Sequence, residues 1–120
     1  MAIRDGNQIP SGTTIEADVC IVGGGPAGIT VALGLAGSNA HVLLLESGGL
    51  KDEPEPQRLN EGANTGLDYY ELDETRFRVL GGSSDRWAGW CRRMDRSDFD
   101  QRDWVATTGW PISYDELVPF

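Results

Sequence analysis

Val19-Cys20-Ile21-Val22-Gly23-Gly24-Gly25-Pro26-Ala27-Gly28 carries an apolar strand straight into a glycine turn that opens a helix. Its spacing is G-x-G-x-x-G, and each position answers a physical need. Gly23 permits the tight turn off the strand. Gly25 removes the side chain that would hold a pyrophosphate away from the backbone. Gly28 lets the helix lie close on the sheet. The first N–H groups of that helix lack intrahelical acceptors, and with the helix dipole they favour an anion. Pro26 and Ala27 fill the first helical positions.

Working outward, Gly28, Ala32 and Ala36 recur every four residues, so one helical stripe is expected to carry almost no bulk. Gly34 in the same helix costs about 1 kcal/mol against alanine, and close packing is the expected compensation. After Gly37, His41-Val42-Leu43-Leu44-Leu45 reads as a second strand ending at Glu46 and Ser47. An acid about 20 residues past the glycines can accept hydrogen bonds from both hydroxyls of an adenosine ribose and would repel a 2′-phosphate, which disfavours NADP. Strand, small-residue helix, strand and acid together read as a βαβ dinucleotide-binding unit. The bland alternative is a glycine-rich loop in some other α/β protein.

The chain has 120 residues, 16 of them glycine, with 39% hydrophobic residues and a net charge of −9. That length holds at most one small domain. No basic stripe is present to neutralise phosphates, so a nucleic-acid partner is not expected. No apolar run approaches the ~20 residues of a transmembrane helix. The polar stretch 1–16 has no apolar core of a secretory signal, which makes the cytoplasm the expected compartment. Acids dominate from Lys51 to Glu74, whereas Arg86, Arg92, Arg93, Arg96 and Arg102 cluster later; both stretches read as solvated surface. Cys20 in the first strand is expected to be a small buried thiol and Cys91, among the arginines, a structural one; the two form no disulfide framework. No metal-ligand spacing is seen.

Residues 1–16 form a polar leader and 17–46 the strand–helix–strand unit. From Ser47 to Glu74 the chain is a long acidic, turn-rich loop with room for a short helix. A second glycine motif follows over 75–90, and 91–112 reads as irregular. Ser113-Tyr114-Asp115-Glu116 has the pattern of a capping box announcing a helix. Two parallel strands and one helix leave sheet faces and edges uncovered. The expectation is therefore an N-terminal piece of a larger α/β protein, with an incomplete parallel sheet over 17–120.

Arg78-Val79-Leu80-Gly81-Gly82-Ser83-Ser84 is a second place where backbone can approach a ligand, because two glycines and two hydroxyls offer donors without bulk. Trp87-Ala88-Gly89-Trp90 then sets aromatics around small residues, a wall for a flat ring. A tight turn with core tryptophans explains the same residues. Paired with the first motif, they favour a cofactor long enough to touch both, and FAD is one.

G-G-G-P-A-G, L-L-L-E-S-G-G and R-V-L-G-G-S-S, followed by W-A-G-W-C-R-R-M-D-R-S-D-F-D and G-W-P-I-S-Y-D-E-L, together resemble the glucose–methanol–choline family of FAD-dependent oxidoreductases. The likeness is greatest to its bacterial sugar and polyol dehydrogenase branch and its pyranose-oxidase-like members, and it covers residues 17–120. It implies the N-terminal part of a Rossmann-like FAD-binding domain. Gly23, Gly25, Pro26, Ala27 and Gly28 would match the pyrophosphate loop, Glu46 the ribose acid, with Ser47 beside it. Arg78, Gly81, Gly82, Ser83 and Ser84 would match the stretch along the pyrophosphate and flavin, with Trp87, Ala88 and Gly89 next to it. Many members carry Asn where Trp87 stands. Covalent pyranose oxidases carry a flavin-linked His where Arg86 stands, so the resemblance implies non-covalent FAD here.

The activity so implied is oxidation of a CH–OH group in a sugar, polyol or other alcohol, with hydride passing to flavin N5. The electron acceptor is left open, and some relatives are exported by way of a partner subunit. The family's catalytic His has no match in this chain. His41 is the sole histidine and reads as an ordinary strand-end residue, so no catalytic residue is assigned and the chain alone is expected to be inactive. Two other readings stay open: an NAD-dependent or different flavoprotein domain, and a non-catalytic flavin-fold module.

Overall fold

The computed structural model describes residues 2–120. The apolar run Val19–Val22 forms strand β1, and Val42–Leu45 forms strand β2. Both are β-branched or leucine-rich, as short half-buried strands are. They pair in parallel with Val19 opposite Val42 and Val22 opposite Leu45. The ladder extends past both ends. Asp18 N–H donates to the His41 carbonyl at 2.9 Å, and Gly23 N–H to that of Leu45 at 2.7 Å. Helix α1, Pro26–Gly34, makes the crossover. Proline at its first position has no N–H to leave unsatisfied. This part of the chain is a small α/β domain: a two-stranded parallel sheet flanked by helices.

Three expectations need correction. The helix stops at Gly34, with Leu35 as its C-cap, so Ala36 lies in the turn beyond it and outside the small-residue stripe. A Cβ on Gly34 would meet nothing within 4 Å. Packing therefore does not compensate that glycine; its place at the helix end makes it cheap. Cys20 and Cys91 are both exposed and unpaired. Alternation along β1 turns Cys20 to the face that α1 does not cover.

The acidic stretch is more ordered than a plain loop. It holds helix α2, Pro54–Gln57, continued by a 3₁₀ turn over Arg58–Asn60, and then helix α3, Leu72–Thr75. The chain next returns beside the end of β2, where Val79 makes a parallel bridge with Gly49. Val79 is the buried apolar residue of this part, 4% exposed.

Contacts divide the chain into two compact units, one ending at Trp87 and one running from Ala88 to Phe120. The second unit forms around Phe99, which is buried and packs edge-on against Tyr114 with ring centres 5.9 Å apart, and against Trp110 at 6.3 Å. Its helix α4, Tyr114–Leu117, carries the expected capping box. Ser113 Oγ accepts from Glu116 N–H at 3.3 Å, and Ser113 N–H donates to Glu116 Oε2 at 2.8 Å. A second box, Asp95 with Asp98, starts a 3₁₀ turn over Arg96–Asp98. Several of the clustered arginines face nearby aspartates. Arg92 pairs with Asp95, Arg102 with Asp98, and Arg96 grips both oxygens of Asp115 at 2.6 and 2.8 Å. Among the described residues no helix is long and apolar enough to cross a membrane.

Candidate functional site

The first unit brings both glycine motifs to the C-terminal ends of β1 and β2. Gly23 has φ +105°, a left-handed conformation that suits glycine and turns the chain off β1. Gly25 is the N-cap of α1 and offers no side-chain cap. Ile29 N–H is the first to reach back, at 2.9 Å to the Gly25 carbonyl. The amides of Ala27 and Gly28 thus precede the first intrahelical bond and keep their donors for another acceptor. A Cβ on Gly25 would meet nothing within 4 Å. A Cβ on Gly28 would collide with the Gly23 carbonyl and crowd Ile21 Cγ2 at 3.2 Å. One glycine therefore faces open space, and the other seals the turn against the helix.

Glu46 sits at the centre of the arrangement. Its Oε2 accepts from Gly24 N–H at 2.6 Å; its Oε1 accepts from Gly48 N–H at 2.8 Å and from the Ser47 hydroxyl at 3.3 Å. Partial burial works against ionisation, but the amides of Gly48 and Gly24 and the Ser47 hydroxyl outweigh it and hold the carboxyl below the usual glutamate range. A carboxylate offers about four acceptor positions. With three used by its own chain, Glu46 has room for about one incoming hydroxyl rather than a pair.

The second motif lies directly on the first. Leu80 N–H donates to the Gly49 carbonyl at 3.0 Å, and Gly81 N–H to the Gly24 carbonyl at 2.8 Å. Gly81 and Gly82 both have positive φ, +100° and +59°. A Cβ on Gly82 would come within 3.3 Å of Gly25 Cα. Close approach of the two turns thus favours glycine at 82, and also at 24, where a Cβ would come within 3.0 Å of Leu80 Cδ1. A 3₁₀ turn follows over Gly82–Arg86. Ser84 Oγ donates to the Gly81 carbonyl at 2.6 Å, and Ser83 Oγ accepts from Phe77 N–H at 3.3 Å.

Arg78 points back to the end of β2. Its Nη1 donates to Ser47 Oγ at 2.9 Å and its Nε to Asn60 Oδ1 at 2.9 Å. Arg86 pairs with Asp52 and stands over the Phe77 ring, 5.1 Å from its centre. Trp87 follows the 3₁₀ turn in extended backbone and is half exposed. Ala88 and Gly89 belong to the second unit.

Residues outside the expected set also take part. Gly24 donates to Glu46 and accepts from Gly81, and Gly48 donates to Glu46. A Cβ on Gly48 would run into the Arg78 carbonyl. The middle glycine of the first run and the first glycine after Ser47 were the signals for them. His41 is exposed at the opposite end of the ladder, its N–H donating to Asp18 Oδ2 at 2.7 Å. Among the described residues no group of three or more His, Cys, Asp or Glu side chains gathers as a metal site would require. Compared with family models, with curated proteins and with solved structures, the chain matches none.

Proposed function

We propose that this chain is the FAD-binding portion of a flavin-dependent oxidoreductase acting on CH–OH groups of a sugar, polyol or other alcohol. The observation that carries the cofactor reading is the meeting of the two glycine turns. Gly81 bonds to Gly24, and Gly25 opens to free space beside the unengaged amides of Ala27 and Gly28. A donor set of backbone amides at a helix start, without opposing side chains, fits a pyrophosphate. Glu46, ionised and with an acceptor position left, fits a ribose hydroxyl and opposes a 2′-phosphate. The alcohol-oxidising part of the reading rests on the sequence resemblance.

In this reading Ala27 and Gly28 hold the phosphates through their N–H groups, and Glu46 orients the adenosine end. The Gly81–Ser84 stretch lies along the cofactor toward the flavin. Bound FAD would supply the acceptor for hydride. The chain's own part is to bind and orient. Arg86 has no flavin-linking chemistry, and its pairing with Asp52 directs it to the segment after β2, so the FAD is non-covalent.

Titration of the chain with FAD, followed by flavin fluorescence, tests the reading, with NAD and NADP as competitors. Saturable FAD binding that neither nicotinamide cofactor displaces is expected. Preference for NAD would overturn it in favour of a nicotinamide enzyme. Acid precipitation of the loaded protein should release the flavin to the supernatant, and colour retained in the pellet would contradict a non-covalent site.

A further inference from the structure

The acidic segment after β2 carries two amide side chains that bind the backbone leading into the second glycine turn. Gln57, last residue of α2, donates from Nε2 to the carbonyls of Asp73 at 2.5 Å and Arg76 at 2.7 Å, and its Oε1 accepts from Arg78 N–H at 3.1 Å. Asn60, one turn on, donates from Nδ2 to the same Arg76 carbonyl at 2.8 Å, and its Oδ1 accepts from Arg78 Nε. One amide thus holds Arg78 by its backbone and the other by its side chain.

From Arg78 the restraint runs in two directions. Through Nη1 it reaches Ser47 Oγ, whose hydroxyl donates to Glu46 Oε1. Along the chain it reaches Val79, paired with Gly49, and then Gly81, bonded to Gly24. We infer that Gln57 and Asn60 are positioning residues of the dinucleotide site, fixing through Arg78 both the aim of the Glu46 carboxylate and the seating of the second glycine turn on the first. This assignment rests on the FAD reading above.

The physical case is one of register. A side-chain amide has a donor and an acceptor at fixed separation, so it fits an extended backbone in one position and resists a slip along it. Gly81 and Gly82 need that help, because their flexible backbone has many alternatives to the close approach observed. If the two amides served only to order the acidic loop, their loss would leave Gly81, Gly82 and the cofactor untouched.

The test is made on the full chain, with Gln57→Ala, Asn60→Leu and Asn60→Asp, read by site-resolved amide exchange and by FAD titration. Asn60→Asp keeps the oxygen that receives Arg78 Nε but turns an acceptor, in place of the donor, toward the Arg76 carbonyl. For Gln57→Ala and Asn60→Leu, faster exchange at Gly81 and Gly82 is expected, with unchanged exchange at Ile21 and Leu43 in the sheet. FAD affinity should fall on the order of tenfold, as for loss of one or two hydrogen bonds. Asn60→Asp, which keeps the contact to Arg78, should lose less FAD affinity than Asn60→Leu. Exchange at Gly81 and Gly82 equal to the parent's would overturn the inference. So would faster exchange with unaltered FAD affinity, which would leave the amides a purely structural role. If the parent chain takes up no FAD, the functional reading falls and the link to a cofactor falls with it.

Discussion

Two glycines three positions apart should respond in opposite ways to an added methyl group. Gly25→Ala puts its Cβ into open space and should cost no more than about 1 kcal/mol, the difference between glycine and alanine at a helix N-cap, moving the thermal midpoint by only a few degrees. Under the proposed FAD reading, affinity should still fall, because that reading places the pyrophosphate in this space. Gly28→Ala drives its Cβ into the Gly23 carbonyl, so stability should fall first, by 1–3 kcal/mol on the scale of overpacked sites. A Gly25→Ala variant that unfolds, or a Gly28→Ala variant as stable as the parent, would contradict this division of labour. Glu46→Ala removes charge-assisted bonds worth roughly 1.5–3 kcal/mol, or about one to two decades in FAD affinity. Glu46 also makes a pH statement. Its carboxyl titrates below the ordinary value in the folded state, so the unfolded chain binds its proton first on acidification. The stabilisation is present at neutral pH and is lost as pH falls below about 4.5. The acid arm of a stability–pH profile should flatten in Glu46→Gln. An unchanged arm would mean that the Gly24 and Gly48 bonds do not favour the ionised form.

At the scale of elements, Gly48→Ala tests the join between the end of β2 and the second motif. Its Cβ would strike the Arg78 carbonyl, which backbone on both sides leaves little room to avoid. The urea midpoint should drop while β1–β2 amides keep their relative protection, and a neutral result would show that the join is loose. The strands and the first helix were legible in the sequence because an apolar run, a glycine turn and a proline at the first helical position all act within a few residues. The Ser113–Glu116 capping box was legible for the same reason. The end of α1 was not. An almost wholly apolar helix has no polar face whose loss marks its last turn, so Gly34 read as interior. Contacts of the acidic segment were equally hidden, because Gln57 and Asn60 bind main-chain atoms far along the sequence and leave no periodic trace. At the site, the sequence spacing pointed to both glycine motifs and to Glu46. It gave no sign that the carboxylate spends most of its acceptors on Gly24, Gly48 and Ser47.

Over the whole molecule, large apolar groups lie open to solvent. Val22 is 83% exposed, Trp90 89% and Leu67 93%, while Val79 and Phe99 are the buried apolar residues among those described. Apolar area withdrawn from water is the main stabilising term of a fold. Calorimetry of the chain should accordingly show a broad, shallow transition, and a single sharp one would mean that this exposed surface is covered in solution. The parallel bridge between Gly49 and Val79 bears on the order in which the parts assemble. The β1–β2 pairs lie 23 residues apart, with helix α1 shortening the span between them, whereas the Gly49–Val79 bridge lies 30 apart and the Gly81–Gly24 bond that it seats lies 57 apart. Ring closure of that kind costs about 0.6 kcal/mol more for each doubling of the enclosed length, and it gains nothing until the ends meet. Seating of the second glycine turn on the first is therefore the last step in the assembly of the first unit and the first to reverse, and a ligand lying across both turns would act as its latch.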